Sequence, residues 1–360
     1  MNTYAIDTTY YGTFLAWGNN QLLDRIAEIS AIRRMDAVMA TKAYADAVEE
    51  AADEEEDAAD DIVPPAVDSI QEVHSGIGKF FHRIGQDIKK DRDEEKRHDY
   101  QSFQYKSTAG VAKAKRDLCR KLGINPYSTN PILQARLDGL SRALGLGGFT
   151  MVLGEASADP IASAVAANRG TPPAQLATLV YDKSLSELHT ANQTAMQLVG
   201  ISPLDATAFL SSSSYTPWQQ TQLVLALQSL AGVKGLDLFL RDATASATEQ
   251  TDAIFYTETA QLMGKFQTSL GQIARIEKQN NAPFCILRDD SVLLALHWDY
   301  ASWTPTADKC AKWLQSLQVN GKKPTSITIA ITGAASPRLR LEMEQRGFRV
   351  LDRQDRGPLN

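Results

Sequence analysis

Cysteine is scarce in this chain: Cys119, Cys285 and Cys310 are the three among 360 residues. They are odd in number and far apart, so no disulfide framework can be read from them. They permit a reducing compartment without excluding an oxidising one. Long apolar runs are missing as well. The longest candidate, residues 143–153, carries three glycines and falls short of the about 18 residues that suggest a membrane-spanning helix. No secretory leader is visible. Residues 1–20 lack a basic start, and Gly12 and Thr13 interrupt the apolar stretch 10–17. Either a cytoplasmic chain or a processed one is expected. What is present is ordinary for a soluble globular protein, with 43% hydrophobic and 22% charged residues, which excludes collagen-like, wholly disordered and polytopic membrane classes. The length suits two or three domains.

The formal net charge of −6 is unevenly spread, because nine acidic residues and no basic one fall within residues 49–61. The rest of the chain is mildly basic. Six Lys or Arg residues against one acid, Asp117, occupy residues 106–121. Such patterning marks an interaction tail or a solvated segment.

Periodicity and punctuation point to a mainly α protein, a helical bundle with a small C-terminal α/β domain of order β-β-α-β-α-β. Leu22, Ile26, Ile29 and Ile32 recur at helical spacing and predict one amphipathic helix over 20–48. The acidic tract and Pro64-Pro65 then give an exposed linker over 49–67. A basic amphipathic and charged segment spans 68–107. From 108 to 280 helix starts recur as a polar cap followed by proline: Asn130-Pro131, Asp159-Pro160, Thr171-Pro172, Ser202-Pro203 and Thr216-Pro217. Ser184 with Glu187 and Thr216 with Gln219 have capping-box spacing, and Gly200 suits a C-terminal cap. A long helix is expected over 247–279. From 281 to 360 the pattern changes to strands at 284–288, 292–298, 326–332 and 348–352, with helices starting near Pro305 and Pro337.

Two motifs carry a resemblance. Lys115-Arg116 followed by Leu122-Gly123-Ile124-Asn125-Pro126-Tyr127-Ser128-Thr129-Asn130-Pro131-Ile132-Leu133-Gln134 is one. Thr332-Gly333-Ala334-Ala335-Ser336-Pro337-Arg338, leading to Arg346-Gly347-Phe348, is the other. Together they resemble the signatures of a bacterial protein family with no assigned activity, over residues 77–353. Asn125 stands in place of an expected acidic residue. Members of that family look exported, so the resemblance implies a cell-envelope setting and brings no catalytic residues with it.

Candidate chemistry is sparse. His74, His82 and His98 match no metal-ligand spacing, and the acidic tract lacks the order and glycine turn of a calcium loop. No metal site or cofactor is expected. His297 and Asp299 would share one face of a strand. With a nucleophile such as Ser336 or Cys285 they could serve acyl transfer, but no Gly-x-Ser-x-Gly elbow surrounds either nucleophile. Cys285 reads better as a small buried hydrophobe. The loop 332–337 could present helix N–H groups to a phosphate, or simply cap its own helix. Basic residues over 106–121 with Tyr100, Phe103 and Tyr105 nearby could touch nucleic acid. The acidic pI of about 5.5 argues against a dedicated nucleic-acid binder. The sharpest feature is a helix over 77–89, with Ile77, Phe80, Phe81, Ile84 and Ile88 on one side and Lys79, Arg83, Lys89 and Lys90 on the remainder. That face either lies on a membrane surface or packs against the helical domain or a protein partner. The expected function is therefore a non-catalytic, envelope-associated binding or assembly role. A hydrolase with its site at the helical–α/β interface is the alternative, and weak nucleic-acid binding a second one.

Overall fold

The computed structural model describes residues 1–54, 80, 109–146, 172–280 and 282–355. The chain opens on a feature that helical periodicity did not signal. Strands β1 (Thr3–Thr8) and β2 (Gly12–Trp17) form an antiparallel hairpin, with Thr3 opposite Trp17 and Thr8 opposite Gly12. The Thr8 hydroxyl closes its turn by accepting the Tyr11 N–H and donating to the Gly12 carbonyl. Two helices then replace the single one expected over 20–48: α1 (Gly18–Met39) and α2 (Lys42–Glu54). Between them the Thr41 hydroxyl donates to the Val38 carbonyl and accepts the Tyr44 N–H. A side chain able to serve one helix's end and the next one's start favours a break. Helix α2 runs into the acidic tract as far as Glu54, so the linker expected from residue 49 starts as helix.

The helical middle follows its punctuation. It comprises α3 (Ala109–Leu122), α4 (Pro131–Gly145), α5 (Ala174–Asp182), α6 (Leu185–Leu198), α7 (Pro203–Leu210), α8 (Pro217–Ser229), α9 (Leu236–Ser246) and α10 (Gln250–Leu270). Asn130, Ser202 and Thr216 each accept backbone N–H groups of the first turn beyond them, and each is followed by proline. Both expected capping boxes are formed. Asp159-Pro160 and Thr171 lie outside the described residues, and α5 begins two residues past Pro172. Leu133, Leu137 and Leu140, one stripe of α4, are fully buried with Ile32, Leu118 and Val180 in a first core between α1 and the middle helices.

A second, larger core joins helices to sheet. Here the expected helix over 247–279 is corrected. Helix α10 stops at Leu270, where Gly271 adopts a left-handed φ of 61° and donates its N–H to the Gln267 carbonyl. That conformation costs glycine little and ends the helix. The chain continues as strand β3 (Ile273–Gln279), which pairs antiparallel with β4 (Ala282–Leu287). The boundary placed at 280/281 thus falls inside a hairpin. Strand β5 (Val292–Leu296) pairs antiparallel with β4 and parallel with β7 (Ile327–Ile331), which pairs parallel with β9 (Phe348–Leu351). The sheet order is β3-β4-β5-β7-β9, with β6 (Tyr300–Ala301) and β8 (Ala334–Ala335) forming a separate short pair. Helices α11 (Pro305–Ser316) and α12 (Pro337–Gln345) make the two parallel crossovers. All five residues of β5 are buried, as a strand covered on both faces requires. The protein is mainly α with a C-terminal α/β region. Phe209, Phe239 and Phe255 from the helices share one core with Ile286, Leu294 and Ile329 from the sheet. Cys285 lies in that core against Met263, its thiol pushed up to about 12 by burial.

Candidate functional site

The strand expected over 292–298 ends at Leu296. The turn after it, not a shared strand face, brings His297 and Asp299 near each other, with no serine or cysteine beside them among the described residues. His297 is 1% exposed. Its Nδ1 lies 2.8 Å from Glu258 Oε2, a residue of α10, and 3.1 Å from Thr332 Oγ1; its Nε2 is 3.9 Å from Asp299 Oδ2 and makes no hydrogen bond among the described residues. Burial, the largest single influence, pushes this imidazole's pKa down. The charge and hydrogen bond of Glu258, together with Asp299, outweigh both burial and the Met1 amino group, and the net shift is upward. Asp299 holds the N-terminal segments instead of a reacting group, because its two oxygens accept the N–H groups of Asn2 (2.8 Å) and Asn19 (3.1 Å). A Cβ on Gly333 would stand 1.9 Å from the Asp299 carbonyl oxygen, so only glycine lets β8's loop pass this close.

Ser336 is elsewhere. Its hydroxyl accepts the Leu339 N–H at 3.2 Å as the cap of α12, and its N–H donates to the Ala301 carbonyl. The phosphate alternative for loop 332–337 meets an internal anion there. Asp352 Oδ2 accepts the Ala335 N–H and pairs with Arg340 at 2.7 Å. Burial raises the Asp352 pKa, but these partners outweigh it and hold the carboxyl below its ordinary value.

The polar machinery that periodicity missed sits beside α1. Arg25 and Glu28, one turn apart and both buried, form an ion pair at 2.7 Å. Both reach the Asn125–Pro131 stretch of the first motif. Arg25 donates to the Ser128 hydroxyl (3.0 Å), the Thr129 hydroxyl (2.8 Å) and the Leu15 carbonyl (3.3 Å). Glu28 accepts from the Ser128 hydroxyl (2.6 Å) and Asn130 Nδ2 (3.0 Å). Burying two charges is tolerated when each is paired and further hydrogen-bonded, and this network meets that condition. It forms one wall of a cavity of about 340 Å³. The other walls come from Trp218, Gln219 and Gln222 of α8, Gln250, Thr257, Glu258 and Gln261 of α10, and Pro172-Pro173 before α5. Asp24, Tyr127 and Asp355 also line it. The available signal was an Arg/Glu pair at i, i+3 inside a helix that otherwise reads as apolar-faced.

Compared with known protein families, curated proteins and solved structures, the chain matches none. The site is therefore read from its own chemistry.

The amphipathic face at 77–88 is described at one residue. Phe80 is 2% exposed and packs its ring 5.9 Å from that of Phe255, among core residues that include Phe239, Met263 and Leu296. Of the two readings left open for this face, Phe80 follows packing within the chain and not an open membrane- or partner-facing surface. A large ring with an apolar pocket in its own chain gains more by filling it. Ile77, Lys79, Phe81, Arg83, Ile84 and Ile88 lie outside the described residues, as do Lys106, Tyr100, Phe103 and Tyr105. Of the basic residues on α3, Lys113 pairs with Asp117, Lys115 with Asp138 and Arg120 with Asp182, while Arg116 donates to the Tyr181 carbonyl. Among the described residues no cluster of three or more metal-ligating side chains occurs, and no helix is long and apolar enough to cross a membrane.

Proposed function

We propose that this protein is a non-catalytic binding protein whose ligand occupies the polar cavity between α1, the 125–131 loop, α8 and α10. The observation that carries this reading is the contrast between two sites. His297, Asp299 and Ser336 are each committed to bonds that hold segments together, with Ser336 capping its own helix. The cavity, in contrast, is lined by carboxylate, amide and hydroxyl groups, and its Arg25–Glu28–Ser128 wall is held by mutual hydrogen bonds. Its volume of about 340 Å³ falls in the range of about 300–1,000 Å³ of small-molecule sites. Its polar lining selects a polar occupant over a lipid tail. Binding is assigned here and not to the 77–88 face because Phe80 is used in the core.

Among the described residues, the hydrolase alternative finds no nucleophile set against His297. The hydroxyl bonded to the His297 ring is that of Thr332, which is buried and already accepts the Trp298 N–H at 3.0 Å. The test is direct. Ester, glycoside and peptide probes should show no turnover that His297→Gln removes. A polar ligand should raise the melting temperature of the wild type but not of Gln222→Trp, which fills the cavity. Turnover dependent on His297 would overturn the assignment.

A further inference from the structure

The two cores meet at a seam, and one imidazole is fastened across it. Residues 1–54 contribute Phe14, Ala31, Ile32, Met35 and Val38 to the first core, and none to the described buried residues of the second. Asn2, Asn19 and Asn20 tie this segment to the second core's side. The Asn2 and Asn19 N–H groups donate to Asp299, at 2.8 and 3.1 Å, and Asn20 Nδ2 donates to Glu258 Oε2 at 3.0 Å. Both acceptors are carboxylates that flank His297, Glu258 2.8 Å from Nδ1 and Asp299 3.9 Å from Nε2. Asn20 and Glu258 also line the cavity, so their bond closes one of its edges.

The charges facing the ring are Glu258 from α10, Asp299 from the turn after β5 and the Met1 amino group from the N-terminal segment. The last, a cation, disfavours the charged ring but attracts Asp299. A charged imidazole between two largely buried carboxylates compensates them. A neutral one leaves the pair short of a positive charge, which a low dielectric makes costly, and water has to enter. The turn and α10 are fastened to their surroundings. The His297 N–H donates to Thr259 Oγ1 and the Trp298 N–H to Thr332 Oγ1, each at 3.0 Å and each to a buried residue. The N-terminal segment covers the ring from the other side, where a Cβ on Gly18 would stand 3.3 Å from Nε2. That segment is the part that gives way. Its release opens to water the Nε2 atom, which is buried and has no hydrogen bond among the described residues.

We propose that His297 is a proton-operated clasp. Charged, it holds Asn2, Asn19 and Asn20 on Asp299 and Glu258; neutral, it releases them and opens the α1 edge of the cavity. The clasp operates whatever the cavity binds. Hydrogen exchange of the full chain from about pH 6 to 9, with exchange times scaled to the intrinsic rate, reads it on peptides spanning residues 17–24. Protection there should fall about ten-fold or more as pH rises, the effect of a pKa shift of about one unit. Peptides of α10 and β5 should stay protected. His297→Gln, which lacks the charge, should exchange fast across the whole range, with the step gone. The Met1 amino group also titrates, its pKa lowered by burial, and an undiminished step in His297→Gln would assign the release to that amine and overturn the clasp. A flat wild-type profile would overturn it as well, as would equal loss of protection in α10 and β5, which is global unfolding. If His297→Gln does not fold, the wild type decides. The exchange midpoint should then coincide with titration of the His297 ring followed by NMR, and a midpoint displaced from it refutes the proposal.

Discussion

Replacing Asn130 probes cap, buried charge and motif in one position. Its Oδ1 accepts the N–H groups of Ile132 (3.1 Å) and Leu133 (3.2 Å), while its Nδ2 donates to Glu28 Oε2 at 3.0 Å. The residue is 1% exposed, so water replaces neither contact easily. Losing the cap costs about 0.5–2 kcal/mol, and losing a hydrogen bond to a charged group costs about 1.5–3 kcal/mol. Asn130→Ala should therefore destabilise by about 2–5 kcal/mol. Asn130→Ser keeps a capping oxygen and should lose only the second part. Asn130→Asp keeps the cap but sets a carboxylate against that of Glu28. It should be worse than Asn130→Ser at pH 7 and recover part of the loss as acid protonates one of the pair. That sign follows because like charge raises the pair's folded-state pKa, and stability from such a group is lost as pH rises. Urea titration with an unchanged slope measures all three. The reasoning is refuted if Asn130→Ala moves stability by less than about 0.5 kcal/mol, or if Asn130→Asp equals Asn130→Ser at every pH.

Three further outcomes follow from particular contacts. Phe80→Ala should cost about 3–5 kcal/mol by opening a cavity beside Phe255; an unchanged thermal melt would place the ring outside the core. The raised pKa of His297 means its contribution is fully present below the ordinary histidine value of about 6.5 and is lost as pH rises through the raised value. The urea midpoint should therefore fall as pH rises above about 6.5. His297→Gln should flatten that dependence, and an equally steep profile in the variant would refute the assignment. Gly333→Ala should destabilise by about 1–3 kcal/mol, because its Cβ would overlap the Asp299 carbonyl. It should also shift the His297 ring resonances, and a silent substitution would mean the two loops are further apart.

Determinants that act within three or four residues were legible in the chain. Asn130, Ser184, Ser202, Thr216 and Ser336 cap the helices they precede, because a cap needs only its own first turn. Leu133, Leu137, Leu140 and Leu144 announce a buried stripe, of which Leu144 is only half-buried, and Asp289-Asp290-Ser291 announces the turn from β4 to β5. The misread segments needed a distant partner. Strand β3 carries Ile273 and Ile276 at a spacing a helix could also use, and its pairing with β4 decides the matter once Gly271 has ended α10. Strand β1 is half-exposed and alternates, a weak pattern until β2 folds back on it.

The site shows the same division more sharply. The residue types were visible, and the Ser128-Thr129-Asn130 motif stood out in the chain, but its partners Arg25 and Glu28 lie about a hundred positions earlier. The sequence alone determined helix starts, the mainly α class and the β/α alternation of the C-terminal region, since local hydrogen bonding and periodic burial set these. Only the tertiary structure decided that His297 faces Glu258 and not a nucleophile, that Phe80 is core, and that Arg25 is neutralised within the wall of a cavity left with an acidic edge at Glu258. Each of these depends on which charged or aromatic groups share a desolvated space, and that is a property of packing between distant segments.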